Sequence, residues 1–182
     1  MKFTGLLFAT FLVMAHLAFG GPPPPSADQV MAQAEARAAA EHKTIFLHFG
    51  ASWCGWCKRL DAFLDRKDIK PVFEKYFLPV KLVVQEHPEK KTLENPGADE
   101  LLKKLGGPGG LPYFAFLDAQ GGLIVNSRRP SAPGGDGENI GYPGESVEID
   151  WFIQMAKKAA PGMSDEDSKT IESALRSAKK SS

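Results

Sequence analysis

Cys54 and Cys57, in the stretch ASWCGWCKRL, are the residues of this chain best suited to chemistry. They are the only 2 cysteines among 182 residues. A pair at this spacing can exchange disulfides, supply half of a metal site, or close a small structural loop. A sulfur at a helix N-terminus meets unpaired backbone N–H groups and the positive end of the helix dipole, which favour the thiolate. Cys54 would then attack, and Cys57, one turn inside the helix, would resolve the mixed disulfide.

Two other interpretations of the pair stay open. A zinc site needs about four ligands, and only His42, His48 and His87 remain to complete one, at spacings that match no common site. A passive structural disulfide is the other alternative, although closing so short a loop gives little entropic stabilisation. Covalent haem attachment requires a histidine directly after the second cysteine, where Lys58 stands instead. We therefore expect redox exchange, with no bound metal or cofactor.

The segments around the cysteines alternate between strand and helix. Segment 44–49, TIFLHF, predicts a buried strand that leads directly into the pair. Cys57, Leu60 and Leu64 recur at helical spacing, which places the pair at the N-terminus of a helix. A second strand, 78–85, follows, and strand, helix and strand predict a right-handed parallel crossover.

The remaining segments complete the predicted order of elements. Segments 113–117 and 123–127 flank a glycine-rich turn, which predicts an antiparallel hairpin. Residues 128–144 are rich in glycine and proline and predict an irregular surface loop. Further helices are predicted after the N-cap Ser26, over 68–77, over 98–105, over 146–158 with Val147 on its apolar side, and after Ser164, the last being polar enough to be peripheral.

Three stretches of this sequence resemble the thioredoxin superfamily: FLHFGASWCGWCK, PVKLVVQ and GLPYFAFLDAQGGLIV. The resemblance covers about 44–160 and implies a thioredoxin-like α/β fold. That fold is a three-layer sandwich, a central mixed sheet of about four strands with flanking helices, and this chain would add N- and C-terminal helices. In the superfamily a cis-proline faces the cysteines. The matching residue is Pro112, and the Leu111 backbone before it would pair with an extended substrate.

His48 departs from the family pattern, because many thioredoxins have a buried acid six residues before the first cysteine. His48 is either a core histidine or a base that takes the Cys57 proton through water. Lys81 matches the family's lysine partner of that acid, and beside a histidine it would disfavour the imidazolium. If His48 is the base, replacing it with alanine would slow the release of mixed disulfides.

The residues between the cysteines also depart from the pattern, since thioredoxins have Gly-Pro there and disulfide isomerases Gly-His. Here they are Gly55 and Trp56. A neutral indole supplies no charge to stabilise the thiolate, so the direction of electron flow stays open. Trp53 and Trp56 would form an apolar docking surface beside the reactive sulfur. Alternatively, Trp53 packs on the domain and only Trp56 is exposed.

Composition and the first residues limit partners and location. Lys and Arg total 22 and Asp and Glu total 22, so no basic field would gather nucleic acid. Lys2 precedes an apolar run and then small residues and prolines, which is typical of a secretory signal peptide over 1–21. An uncleaved membrane anchor is the alternative. We expect a Pro-rich spacer and helix over 22–43, the thioredoxin-like domain over 44–160, and a helix and tail over 161–182.

The stretch NIGYPGESVEIDWFIQMAKKAAPGMS resembles a group of exported bacterial thioredoxin-like proteins with a long loop before the last sheet-covering helix. This resemblance implies a periplasmic or secreted location. We expect a monomer that exchanges disulfides with exported client proteins, with the reductant direction favoured but the direction of electron flow open. A membrane-embedded redox protein would be its electron partner. Two alternatives stay open: a client-binding module with an inert disulfide, and a reductant dedicated to cytochrome c or metal-site assembly.

Overall fold

Four strands form one mixed sheet within the part of the chain that the computed structural model describes, residues 22–107, 110–130 and 137–180. The strand order is β2-β1-β3-β4. Strand β1 runs parallel to β2 and antiparallel to β3, and β4 completes the hairpin with β3. The strands are β1 (Thr44–Gly50), β2 (Phe77–Val83), β3 (Tyr113–Leu117) and β4 (Leu123–Asn126). The predicted parallel crossover and hairpin are both confirmed, whereas the segment of the predicted leader, 1–21, lies outside the described residues.

Helices cover both faces of this sheet. They are α1 (Ala27–Glu41), α2 (Gly55–Leu64), α3 (Lys70–Glu74), α4 (Ala98–Lys104), α5 (Ser146–Ala159) and α6 (Asp165–Lys180), with a 3-10 turn at Pro88–Leu93. Helices α1 and α4 pack on one face, and α2, α3, α5 and α6 pack on the other. The predicted three-layer thioredoxin-like sandwich is therefore confirmed. Ser26 caps α1, as predicted, because its hydroxyl accepts a hydrogen bond from the Gln29 N–H.

Strand β1 is buried on both faces because it lies between β2 and β3. Since side chains alternate along a strand, Ile45, Leu47 and Phe49 join the core under α1 and α4. Phe46 joins the opposite core, and His48 follows on that same face. The strand therefore places a buried histidine in a largely apolar layer, directly below helix α2.

The segment predicted as an irregular surface loop, 128–144, is partly ordered. Strands β5 (Arg128–Arg129) and β6 (Glu138–Asn139) pair as a short antiparallel ribbon. Ile140 and Tyr142 then turn inward and are 8% and 7% exposed. The prediction failed here because the high glycine and proline content hid two apolar residues that the core accepts. Residues 131–136 of that segment lie outside the described part.

Helix α6 is not peripheral, which corrects the prediction from its polar composition. Ile171 and Leu175 are fully or almost fully buried and pack in the same core as α5. Asp167, in the first turn of α6, accepts hydrogen bonds from Lys75 Nζ and the Tyr76 hydroxyl, which connect the helix to the segment after α3. Val147 was also placed wrongly, since it is 55% exposed while Ile149 and Phe152 of the same helix are buried. None of the helices in the described part is long and apolar enough to cross a bilayer.

Candidate active site

Cys54 and Cys57 are joined in a disulfide at the start of α2. Cys54 is the N-cap residue of that helix, and its sulfur accepts a hydrogen bond of 3.0 Å from the Cys57 N–H. Cys54 is 3% exposed and Cys57 is fully buried. A reduced Cys54 would keep this hydrogen bond and the favourable end of the helix dipole, and both stabilise a thiolate.

Two glycines next to the pair, Gly50 and Gly55, differ in the free space around them. A methyl group placed on Gly50 would lie 3.1 Å from Cys57 Cβ and 3.3 Å from its sulfur, so the end of β1 forms the back wall of Cys57. A methyl group on Gly55 would meet nothing within 4 Å. Cys57 is thus tightly enclosed, while Gly55 faces open space.

The segment before β3 faces the disulfide. Leu111 packs against the cluster formed by Ala51, Cys54 and Cys57, and the Leu111–Pro112 peptide bond is cis. Asn139 of the ribbon holds this segment, because its side-chain amide donates hydrogen bonds to the Gly110 and Pro112 carbonyls at 2.9 and 3.1 Å. The β5–β6 ribbon therefore supports the proline segment of the site.

A buried carboxylate anchors the loop that precedes Cys54. Glu86 is 4% exposed, and its two oxygens accept hydrogen bonds from the Ser52 N–H and hydroxyl. Burial raises the pKa of Glu86, but the two hydrogen bonds from Ser52, together with the charges of Lys90 and His87, leave the pKa below its usual value. Next to this clamp, the Trp53 indole donates to the Gln85 carbonyl at 2.7 Å. The exit of β2 therefore fixes the approach to the cysteines.

Both tryptophans are exposed, Trp53 by 46% and Trp56 by 56%, so the interpretation in which only Trp56 is exposed is wrong. Trp56 stacks on Tyr142 with ring centroids 5.9 Å apart, and the Arg59 guanidinium lies 5.4 Å from the Trp56 centroid. A groove of about 320 Å³ runs beside them; among its lining residues are Trp56, Leu111, Ile140, Tyr142 and Glu148. The groove adjoins both the cysteine motif and the cis-proline segment.

His48, Lys81 and Asp61 meet behind the disulfide. His48 and Lys81 are paired neighbours in the parallel ladder of β1 and β2. Lys81 Nζ forms an ion pair with Asp61 Oδ2, and Asp61 Oδ1 lies 3.7 Å from His48 Nδ1. A methyl group on Gly50 would also lie 3.7 Å from Lys81 Cε, which places the lysine stem close to Cys57. The strand histidine and lysine singled out in the sequence thus come together, with a helix carboxylate beside them.

Burial dominates the protonation of His48. The side chain is 5% exposed, and burial lowers its pKa to about 4, while Asp61 acts to raise the pKa and Lys81 to lower it. The imidazole is therefore neutral at pH 7 and can accept a proton. This is the protonation state that the predicted base requires.

The stability of the oxidised protein should fall on acidification because of His48. Above about pH 6.5, the usual histidine pKa, the imidazole is neutral in both the folded and the unfolded chain, so it does not change the free energy of unfolding. Below it the unfolded chain takes up a proton, whereas the folded chain does so only near pH 4. Between pH 7 and 5 this linkage costs about 2 kcal/mol of unfolding free energy.

Urea denaturation at pH 7 and pH 5 measures that loss directly. In His48→Asn the loss should shrink by about 2 kcal/mol, because no imidazole is left to titrate there. His42→Asn is the matched control, since His42 is exposed and caps α1 with φ 53°, which asparagine tolerates. An equal pH dependence in wild type and His48→Asn would contradict the buried neutral imidazole.

A mixed four-stranded sheet whose first strand leads to a disulfide at a helix N-terminus, opposite a cis-proline, defines the thioredoxin-like class of α/β proteins. The family model described as a thioredoxin-like domain matches residues 31–128, which is more than half of the chain. The chain belongs to this family. No curated protein matches it.

Solved structures similar to this chain include a disulphide isomerase from Xylella fastidiosa Temecula1, at 20% identity and a TM-score of 0.47, covering 93% of this chain and 98% of that one. The C-terminal domain of Neisseria meningitidis DsbD in the oxidised form is 20% identical, with a TM-score of 0.43, covering 74% of this chain and 99% of that one. A DsbH oxidoreductase is also 20% identical, with a TM-score of 0.41 and coverage of 86% and 94%.

Sequence reasoning missed three residues that support the site: Asp61, Glu86 and Asn139. Asp61 had a usable signal, since it stands four residues after Cys57 and therefore on the same face of α2. Glu86 and Asn139 act across 34 and 29 residues of chain, on Ser52 and on Gly110 respectively. No local pattern reveals contacts of that range.

Proposed function

We propose that this protein is a thiol-disulfide oxidoreductase that acts as a reductant of disulfides in exported client proteins. The observation that carries the proposal is the Cys54–Cys57 disulfide at the N-terminus of α2, opposite the cis Leu111–Pro112 bond. In its reduced form, Cys54 attacks a client disulfide and forms a mixed disulfide, and one client sulfur leaves as a thiolate. Cys57 then attacks Cys54, releases the second client sulfur and closes the intramolecular disulfide. The dithiol itself carries the electrons, so no cofactor takes part.

The resolving step needs a base, because Cys57 is fully buried and must lose its proton before it attacks. His48 takes this role in the proposal, since its imidazole is neutral and lies on the strand face below α2. Burial keeps the imidazole neutral by lowering its pKa, and Lys81 acts in the same direction. General-base catalysis of this kind contributes about 10²- to 10⁴-fold where it operates.

The client binds across the surface around Cys54. The exposed rings of Trp53 and Trp56 supply apolar contact area on either side of the sulfur. Gly55 leaves room for the client to approach, because nothing lies within 4 Å of its methyl position. The Leu111 backbone, next to the cis bond to Pro112, pairs with an extended client chain.

The reductant direction and the exported location are the finer parts of the proposal. Gly55 and Trp56 place no cationic ring between the cysteines, so the Cys54 thiolate lacks the stabilisation that makes a dithiol strongly oxidising. The apolar run after Lys2 supports export to a periplasmic or extracellular compartment. A membrane-embedded redox protein would return electrons to Cys54 and Cys57 there.

The equilibrium reduction potential of Cys54 and Cys57 tests the proposal. We expect a value near about −270 mV, typical of a dithiol reductant. The measurement equilibrates the protein with dithiothreitol or glutathione buffers and counts free thiols by alkylation and mass spectrometry. A value of about −120 to −180 mV would identify an oxidase or isomerase and overturn the reductant direction.

A client-binding module with an inert disulfide is the second candidate. The burial of Cys54, which is only 3% exposed, together with two exposed tryptophans, favours it. Its disulfide would have a potential well below about −300 mV and would resist the same buffers. The one titration therefore separates the two functions.

A further inference from the structure

The Asp61 carboxylate lies between a buried base and solvent, and the exchange steps above leave it without a role. Its side chain is 30% exposed and forms an ion pair with Lys81 through Oδ2. Its other oxygen, Oδ1, faces His48 Nδ1 at 3.7 Å. Asp61 stands one helical turn after Cys57 on α2. A single carboxylate thus borders the imidazole on the helix that carries both cysteines.

His48 Nδ1 is buried and has no hydrogen-bond partner in the described part of the chain. Such orphaned nitrogens are rare in folded proteins and call for an explanation. A neutral imidazole carries a proton on one ring nitrogen and a lone pair on the other. A carboxylate facing Nδ1 favours the tautomer with the proton there, and this leaves Nε2 as the accepting atom.

We propose that Asp61 is a positioning residue for His48. It holds the imidazole proton on Nδ1, so that Nε2 accepts the Cys57 proton through water when Cys57 resolves the mixed disulfide. This inference rests on the proposed function.

The step balances without a further reactant. The Cys57 thiol gives its proton to Nε2, and its sulfur bonds to Cys54 as the bond from Cys54 to the client sulfur breaks. The client leaves as a thiolate, and the proton on Nε2 returns to solvent or to that thiolate. The two electrons of the dithiol pass to the client.

Cys57 lies against the same face of β1 that carries His48. Gly50 and His48 lie on one face of β1, about 7 Å apart at two residues of strand. The Cys57 sulfur lies 3.3 Å from the methyl position of Gly50. A pocket of about 400 Å³ adjoins His48, Asp61 and Lys81, and a polar pocket of this size admits water to the imidazole.

The other groups around the imidazole leave Asp61 as its acidic neighbour. Asp65, one turn further along α2, pairs with Lys70 instead of His48. From β3, the ladder neighbour of His48 is the apolar Phe114. Five charged groups line the pocket. They are Asp61 from α2, Asp65 from its C-terminal end, Lys70 and Glu74 from α3, and Lys81 from β2. Of these, Asp61 acts to raise the pKa of His48 and Lys81 to lower it.

Nitrogen-15 NMR of the His48 ring in the oxidised full chain tests the tautomer at pH 7. We expect the Nδ1–H form to dominate in wild type and to lose that dominance in Asp61→Ala. Asp65→Ala is the matched control, because it removes a carboxylate of the same helix and pocket that does not face Nδ1. A wild-type ring protonated mainly on Nε2, or equal spectra for Asp61→Ala and wild type, would overturn the proposal.

A kinetic experiment tests the consequence for exchange, with glutathione disulfide as the probe. The reduced protein forms a mixed disulfide on Cys54, and rapid acid quenching followed by mass spectrometry gives the rate of its resolution from pH 5.5 to 9. Asp61→Ala should slow this step by about ten-fold at pH 7 and shift its pH profile, whereas Asp65→Ala should not.

The double variant His48→Ala/Asp61→Ala should resolve no more slowly than His48→Ala, because Asp61 acts through the imidazole. A further ten-fold loss in the double variant would overturn that route. Failure of the proposed function has a different outcome: the wild type would then form no mixed disulfide at all, while the NMR experiment would still report whether Asp61 sets the tautomer.

Discussion

Cys57→Ser should convert a transient mixed disulfide into a stable covalent complex, and Cys54→Ser should reduce client turnover to the uncatalysed rate. The difference follows from position. Cys54 caps α2, where the helix N-terminus stabilises a thiolate, whereas Cys57 is fully buried behind it and only completes the exchange. Without Cys57, no second sulfur lies near enough to release the client. Gel electrophoresis under non-reducing conditions, after mixing reduced variants with a disulfide-bonded protein such as insulin, measures both effects.

The double variant Cys54→Ser/Cys57→Ser is the control for adducts that do not involve the pair, since no other cysteine exists in the chain. Dithiothreitol should reduce the mixed disulfide formed by Cys57→Ser and so separate the two proteins. Stable complexes formed by Cys54→Ser but not by Cys57→Ser would reverse the two assignments. No complex with either variant would favour the client-binding module with an inert disulfide.

The same variant separates a general reductant from a dedicated one when it is expressed with its native exported proteins. Many trapped clients would support a general role, and one dominant client would support a reductant dedicated to cytochrome c or metal-site assembly. The groove beside Trp56 and Tyr142 bears on this question, because the segment around Ile140 forms one of its walls. Connecting segments that line a binding groove commonly determine which partner a protein binds.

Much of the fold was predictable because its signals are local. TIFLHF is a continuous apolar run with one histidine, which is what a strand buried on both faces requires. The spacing of Cys57, Leu60 and Leu64 placed α2 correctly, and all three are buried. These patterns also predicted where the site lies, because a short connection from a strand to a helix places the C-terminal end of the strand next to the helix N-terminus.

The features that were missed depend on contacts between distant segments. Residues 128–144 looked like solvated loop, yet Asn139 reaches back to the Gly110 and Pro112 carbonyls and Tyr142 reaches Trp56. Helix α6 looked peripheral because few of its residues are apolar. The two that matter, Ile171 and Leu175, stand four apart and bury a narrow stripe against the core. Composition averaged over a segment hides such stripes.

Phe152→Ala should destabilise the protein by about 3–5 kcal/mol, the range typical of a buried aromatic ring replaced by alanine. Phe152 is fully buried on α5, and its ring contacts the rings of Phe46, Phe73, Phe114 and Phe116 at centroid distances of 5.6 to 6.5 Å. Removing it leaves a cavity at the point where α5 packs on the sheet. Urea denaturation of the oxidised protein at pH 7 measures the loss as a lower midpoint with an unchanged slope.

Val147→Ala is the matched control, because Val147 lies on the same helix but is 55% exposed, and its loss should change stability by no more than about 0.5 kcal/mol. The effect of Phe152→Ala should also reach the site. Phe114 lies two residues after Pro112, and Phe46 lies two residues before His48 on the same strand face. A loss below about 1 kcal/mol would mean that the cavity collapses at little cost, and that α5 does not fix β3, which follows the proline, or β1, which carries the histidine.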